Sequence, residues 1–192
     1  MPLPRAFYLR PARAVARDLL GCVLVSRRGG DVTSGRIVEA EAYLGPDDAA
    51  SHAAFRPGSR PLFYGPGGIA YVYRAYGLHY CLNAIAGGTG SPGCVLIRAL
   101  EPLEGAAVMA ERRGVRADSR RLVSGPGNLT RGLGITLDDN GIDLTRGPLT
   151  IEARDEPSPL RISTGPRVGI TRAREKILRF WLSGDPHVSA SR

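Results

Sequence analysis

Apolar residues in the first part of the chain change period. From Arg10 to Leu20 they recur at helical spacing, with Ala12, Val15, Ala16, Leu19 and Leu20 on one side, Pro11 acceptable in the first turn and Gly21 as a C-terminal stop. From Cys22 onward the period is two. Cys22–Ser26 reads as a short strand, Arg27–Ser34 as a polar turn and Arg36–Leu44 as a second strand. Within Ile37–Leu44 the alternation puts Val38, Ala40, Ala42 and Leu44 on one face and Glu39, Glu41 and Tyr43 on the other. One face suits a core and the other a site, and Gly45-Pro46-Asp47-Asp48 then breaks the strand.

Ala49–Gly68 is rich in Pro and Gly and predicts a long loop with a helical turn near Ala49–Ala54. Ile69–Arg74 and Leu78–Ile85 are β-rich runs around Ala75-Tyr76-Gly77, a hairpin with Gly77 in the strained turn position and Tyr76 at or beside the tip. Gly93–Leu100 is the clearest strand, apolar except for Arg98, which shares a face with Cys94, Leu96 and Leu100. Pro102–Arg113 predicts a helix stopped by Gly114, Arg116–Arg121 a solvated basic segment, and Ser124–Leu133 a short helix whose small leading residues can hold an anion. Turns at Asp138–Gly141, Arg146–Pro148 and Asp155–Pro159 alternate with strands at Leu149–Ala153, Val168–Thr171 and Leu178–Leu182. The pattern predicts an α+β fold: a single domain over residues 1–192 with a curved, mainly antiparallel sheet, peripheral helices and a protruding β-hairpin.

Composition narrows the class. A chain of 192 residues with 43% hydrophobic content can bury one full core. No apolar run approaches the roughly 20 residues of a membrane span, and the first residues lack an apolar leader region, so no membrane and a cytoplasmic location are expected. Cys22, Cys81 and Cys94 are odd in number and never in C-x-x-C spacing, which predicts reduced thiols and suggests no metal site. The formal net charge of +8 favours a polyanionic partner, nucleic acid first.

The candidate chemistry leaves alternatives open. Two glutamates at i and i+2 stand about 6.6 Å apart along a strand, so either one is a general base tuned by its surroundings or both are solvated on an outer face. Tyr71 and Tyr73 either pack on one sheet face or meet a ligand, whereas Tyr76 at a turn is hard to place in a core and fits a wedge between stacked bases. His52, in a long loop after two acidic residues, either bonds a ligand or merely faces solvent, and His79 after the hairpin turn reads as a surface residue. Asn83 is a structural cross-link or a specificity group, and Arg98 is a partner of Glu39 or Glu41 or a phosphate binder. On residue types alone, two other readings stay open: an inverting carbohydrate hydrolase, with carboxyl groups roughly 6.5 to 9.5 Å apart, and a non-catalytic basic module whose tyrosines stack on bases.

Longer strings carry a resemblance. Gly35-Arg-Ile-Val-Glu-Ala-Glu41-Ala-Tyr43-Leu-Gly-Pro-Asp-Asp-Ala-Ala-Ser-His52, Tyr71-Val-Tyr73-Arg-Ala-Tyr76-Gly77-Leu-His-Tyr-Cys-Leu-Asn83, Val95-Leu-Ile-Arg98-Ala-Leu-Glu-Pro-Leu-Glu104-Gly and Ser124-Gly-Pro-Gly closely resemble the alkyladenine (3-methyladenine, N-methylpurine) DNA glycosylase family. The match runs in order from Ala16 to Trp181. The resemblance implies that Glu41 activates a water against C1′ of a damaged purine nucleotide, that Tyr43, His52 and Tyr73 line a pocket for the flipped base, and that Asn83 excludes guanine. It implies Arg98 near the phosphate and the water, and Tyr76 filling the gap in the duplex, on a hairpin whose Arg74 and Gly77 also meet DNA. It further implies one mixed α/β domain acting as a monomer on double-stranded DNA with damaged purines, with no metal or organic cofactor. Two departures bear on lesion range: Gly58-Ser-Arg60-Pro61 stands where relatives commonly carry Thr-Pro-Arg-Asn, and His79 replaces an aromatic ring of the mammalian relatives.

Overall fold

The computed structural model describes residues 1–88, 91–154 and 159–190. Two short helices open the chain, α1 (Arg5–Tyr8) and α2 (Ala12–Asp18), and are followed by a hairpin of β1 (Val23–Arg28) and β2 (Asp31–Tyr43). The Pro- and Gly-rich stretch folds as α3 (His52–Phe55), a 3-10 turn at Pro57–Ser59 and α4 (Arg60–Phe63). A second hairpin, β3 (Ala70–Ala75) and β4 (His79–Ala86), leads to β5 (Gly93–Glu104), α5 (Ala106–Arg113) and α6 (Pro126–Leu133). β6 (Leu149–Glu152), β7 (Ile162–Pro166) and β8 (Ile177–Leu182) complete the sheet.

The named strands pair antiparallel in the order β3-β4-β5-β2-β1-β6, with β8 joining both β2 and β7. β2 organises this curved sheet. One of its edges takes β5, while the other takes β1 along its first half and β8 along its second. Between those halves lies a bulged irregularity: Ile37 faces Leu100, Glu39 faces Ala99 and Ala40 faces Ile97, so Val38 on β2 and Arg98 on β5 are each passed over and the register is the same on either side. A bulge of this kind bends the strand and increases its twist. Ile37 and Val38 both reach the main core as a result, and Glu39, Glu41 and Tyr43 resume their alternation on the opposite face.

Period two sorts the rest of the sheet into the same two faces. Leu82, Ala84 and Ala86 of β4 and Val95, Ile97 and Ala99 of β5 join the main core, which α2, α5 and α6 cover through Val15, Leu19, Met109, Leu129 and Leu133. Cys81 and Ile85 of β4 and Cys94 and Leu96 of β5 point the other way, into a smaller cluster with Tyr43, Phe63 and Tyr71. Asn83 and Arg98 occupy the gaps in that second face.

Several sequence expectations need correction. The turn expected at Arg27–Ser34 is mostly strand, because Gly29 and Gly30, both at positive φ (60° and 87°), close the hairpin in two residues and leave Val32–Ser34 paired with Val25–Arg27. The helix expected from Pro102 begins only at Ala106: β5 runs through Pro102 to Glu104, paired with β2, and Gly105 at φ 75° makes the turn between them. No strand forms at Val168–Thr171, whose β-branched residues imitate one; β8 pairs with β2 and with β7, which ends at Pro166, and 168–171 is a loop. The turn expected at Asp155–Pro159 lies almost wholly outside the described residues. Among the described residues no helix is long and apolar enough to cross a membrane, and the three cysteines are free and buried.

The β5–α5 junction yields a stability prediction. A Cβ at Gly105 would stand 2.4 Å from the Val32 carbonyl oxygen, in addition to the strain of φ 75°. Gly105→Ala is therefore expected to lower unfolding free energy by about 2 to 4 kcal/mol. Urea titration checks this, and an unchanged midpoint would mean that the junction relaxes freely.

Candidate active site

Glu39 and Glu41 are both completely buried, so neither lies on a solvated outer face. Glu39 is fully engaged in holding the structure: its Oε1 accepts from Arg98 Nε (2.8 Å) and Arg179 Nε (2.7 Å), and its Oε2 from the Ser189 amide (2.8 Å). Ser189 also binds the two arginines, through its Oγ to Arg98 and its carbonyl to Arg179. Arg98 thus proves to be an ion-pair partner of the glutamates. Beyond Glu39 it brings Nη1 to 3.4 Å from Glu41 Oε1.

Glu41 has lighter bonding. Its Oε1 accepts the Val168 amide (2.7 Å) and its Oε2 the Tyr43 hydroxyl (2.9 Å). Burial pushes its pKa above the ordinary glutamate value, while the Arg98 charge and these two donors pull it part of the way back. The Tyr43 hydroxyl, raised well above its usual value by burial and by Glu41, stays protonated and keeps donating.

In front of this floor lies a cavity of about 770 Å³ whose lining includes Tyr43, His52, Tyr73, Arg74, Tyr76, Asn83 and Arg98. Seven of the nine residues to which the resemblance gives a role therefore meet at one opening. Glu41 sits behind it, and Gly77 beside it at the hairpin tip. The rings form a continuous wall. His52 packs against Tyr73 with centroids 4.5 Å apart, Tyr71 lies 5.4 Å from Tyr73, and the Tyr71 hydroxyl is 2.7 Å from His52 Nδ1. Burial, helped by Arg56, pushes the His52 pKa down to about 4, which makes the ring neutral at physiological pH. Asn83, 2% exposed, donates Nδ2 to the Tyr71 carbonyl and receives the Cys94 thiol on Oδ1. It is a cross-link that also faces the cavity. Among the described residues no group of His, Cys, Asp or Glu is placed to hold a metal ion.

The β3–β4 hairpin ends in a turn whose two central residues are both left-handed, Tyr76 at φ 51° and Gly77 at φ 69°. Gly77 tolerates this conformation, but a bulky L residue adopts it at a cost of about 1 kcal/mol or more. Core packing does not compensate, since Tyr76 is 84% and Leu78 82% exposed. The core alternative for Tyr76 is thereby excluded. Its hydroxyl reaches the Gly169 carbonyl at 3.3 Å, across the cavity mouth. Arg74, exposed on the same hairpin, stacks over Tyr80.

Sequence reasoning missed the loop that closes the far side. Arg167 makes a buried bidentate pair with Asp48 (2.6 and 2.8 Å) and lies 4.6 Å over the Tyr43 ring. The next five residues, Val168 to Arg172, line the cavity. By its sequence neighbours Asp48 is only a strand breaker. An acidic residue in such a turn carries no local sign of a partner 119 positions away.

The Methylpurine-DNA glycosylase (MPG) family profile matches residues 6–186. A protein of Methanoculleus marisnigri, named as a candidate 3-methyladenine DNA glycosylase, is 48% identical over 192 residues, covering 98% of this chain and 99% of its own. A Koribacter versatilis protein of the same name is 44% identical over 195 residues, covering 100% of this chain and 94% of its own. One from Carboxydothermus hydrogenoformans, again so named, is 42% identical over 190 residues, covering 98% and 99%. The family match spans every strand of the sheet, and with relatives at this identity over nearly the whole length it shows that the chain belongs to the methylpurine-DNA glycosylase family.

Proposed function

We propose that the protein is a monofunctional DNA glycosylase of base-excision repair, flipping an alkylated purine out of duplex DNA and hydrolysing its N-glycosidic bond with water activated by Glu41. The observation that carries this reading is the Glu41 carboxylate itself, wholly buried behind an aromatic cavity and made more basic by that burial. A base must leave the stack before its glycosidic bond can be reached, at a cost of a few kcal/mol. The exposed Tyr76 fills the gap it leaves, with Gly77 and Arg74 beside it on the DNA. In the pocket, Tyr43, His52 and Tyr73 sandwich the base, and Asn83 meets the 2-amino group that marks guanine.

The chemistry is a single displacement. Water oxygen bonds to C1′, the C1′–N bond breaks with its electron pair leaving on the base, and the water proton passes to Glu41. A purine methylated at N3 or N7 carries a positive charge and departs as a neutral base without prior protonation. Tyrosine faces favour that cation by roughly 0.5 to 2 kcal/mol per contact. A neutral His52 adds no repulsion. Arg98 keeps Glu41 ionised and faces the cavity where the sugar and its phosphate come in. The carbohydrate-hydrolase alternative needs a second available carboxylate, and Glu39 is already bonded on both oxygens. The protein is taken to act as a cytoplasmic monomer on double-stranded DNA.

Glu41→Gln is expected to slow base release from methylated duplex by about 100- to 10,000-fold while leaving affinity for abasic-site duplex intact. Chromatography of the released bases measures it, and release near the wild-type rate would remove Glu41 from the role. Because the base must be ionised, the wild-type single-turnover rate should fall on acidification. The midpoint should lie above the value of about 4.3 for an exposed glutamate, since burial raises this one. A midpoint at or below that value would contradict a buried base.

Tyr76→Asn separates wedge from scaffold. Asn accepts the left-handed region more readily than Tyr, so melting temperature should hold or rise. Affinity for lesion-containing duplex should weaken by about 1 to 3 kcal/mol, the worth of a base-aromatic stack. Unchanged duplex affinity would rule out the wedge.

A further inference from the structure

Arg167 and Asp48 bind each other through a two-pronged pair beside the cavity. Both are buried, and the pair joins two surface connections: the turn after β2 and the loop between β7 and β8. Asp48 accepts the Leu44 and Ala50 amides as well as the guanidinium fork. Arg167 additionally donates Nη1 to the Ala42 carbonyl (3.1 Å) and covers the Tyr43 ring. Its neighbour Val168 supplies the amide on Glu41 Oε1, and two residues on, the Gly169 carbonyl meets Tyr76. A planar fork fixes a direction as well as a charge, because two parallel bonds to one carboxylate leave it little freedom to rotate.

We infer that Arg167, locked by Asp48, is a positioning residue for the reaction: the pair sets the Val168 amide against Glu41 and backs the Tyr43 ring that donates to the same carboxylate. This rests on Glu41 being the base. Both neutral donors to Glu41, one on each oxygen, are then anchored by a single guanidinium. With the pair gone, the loop is free to withdraw Val168 and the ring to turn, so Glu41 loses groups that stabilise its charged form. The other charges around it remain: Glu39 on its own strand, Arg98 on β5, and Arg179 on β8 through Glu39. The Cys81 thiol on β4, within electrostatic reach of Glu41, is neutral because burial raises its pKa. The remaining tyrosine hydroxyls near the cavity, Tyr71 and Tyr73, are likewise raised by burial and stay neutral.

The test uses the full chain with the double variant Arg167→Met/Asp48→Asn, which removes both charges together and so strands neither. The introduced asparagine retains an acceptor for the loop amides. Single-turnover base release from methylated duplex should be about tenfold to a hundredfold slower, as expected of a displaced catalytic geometry. Affinity for abasic-site duplex should be unchanged, and the acid limb of the rate profile should move to higher pH because donors that lower the Glu41 pKa have been lost. Arg167→Lys, which keeps the charge but not the fork, should show the same pH displacement. Wild-type rate and acid limb in both variants, after correction for the folded fraction from melting curves, would make the pair purely structural and overturn the inference. Failure of both variants to fold would overturn it equally, since the pair would then serve the fold and not the reaction. Absence of base release from the wild type in the same assay is a different result, and it would reject the glycosylase reading itself.

Discussion

A carboxylate taken out of water loses hydration worth several kcal/mol, and it stays ionised only if charges and hydrogen bonds replace that hydration. β2 buries two of them on one face. The cost is offset by guanidinium groups that the neighbouring strands deliver at the required height, Arg98 from β5 and Arg179 from β8. Glu39 takes both, together with the Ser189 amide, and in doing so fixes the orientation of Arg98. The second carboxylate then has a counter-ion whose geometry it need not determine. Glu39 holds Arg98, and Arg98 faces Glu41. The asymmetry in their bonding is what separates an anchoring glutamate from one with lone pairs to spare for a water proton.

This arrangement needs the bulge at Val38. Were alternation unbroken from Ile37 onward, Val38, Ala40 and Ala42 would lie on the polar side and both glutamates among the helices. The break in alternation allows one strand to serve β1 and the main core first, then β8 and the cavity floor. The break is matched on β5, where Arg98 is passed over between Ile97 and Ala99, so the irregularity that turns the glutamates to the cavity face also sets beside them the guanidinium that pairs with them.

What could be read in the sequence follows the same division. Period two showed that Glu39, Glu41 and Tyr43 share a face and that Arg98 is foreign to an apolar strand, because alternation is a local property. It could not show that the two glutamates are buried, since that depends on arginines 59 and 140 positions away. The resemblance named Glu41 over Glu39, a distinction that the pattern of the strand does not contain. Pro102 looked like a helix start because proline suits a first turn, yet its neighbours stayed paired to β2 and the turn waited for Gly105. Val168, Ile170 and Thr171 looked like a strand by composition. Their work is done partly by backbone groups, such as the Val168 amide and the Gly169 carbonyl, which any residue except proline at the first could offer and which leave no mark in side-chain pattern.

The burial of these acids also addresses a conflict inherent in acting on DNA. An attacking base must be anionic, yet it has to work beside a polyanion that repels it. Among the described residues four carboxylates, Glu39, Glu41, Asp48 and Asp139, are withdrawn from the surface, against three buried guanidiniums, Arg98, Arg167 and Arg179. Burial thus removes more negative than positive charge from the surface of the described residues, in a chain whose formal net charge is +8. Phosphates meet that surface and release counterions, while the negative charge of Glu41 is paired to Arg98 behind the aromatic wall. Protein between the carboxylate and the solvent lowers the screening of that pair, so Arg98 acts on Glu41 more strongly than the same groups would in water. On the proposed reading of Glu41 as the base, the same burial that hides it from the DNA pairs it with Arg98 and keeps it ionised.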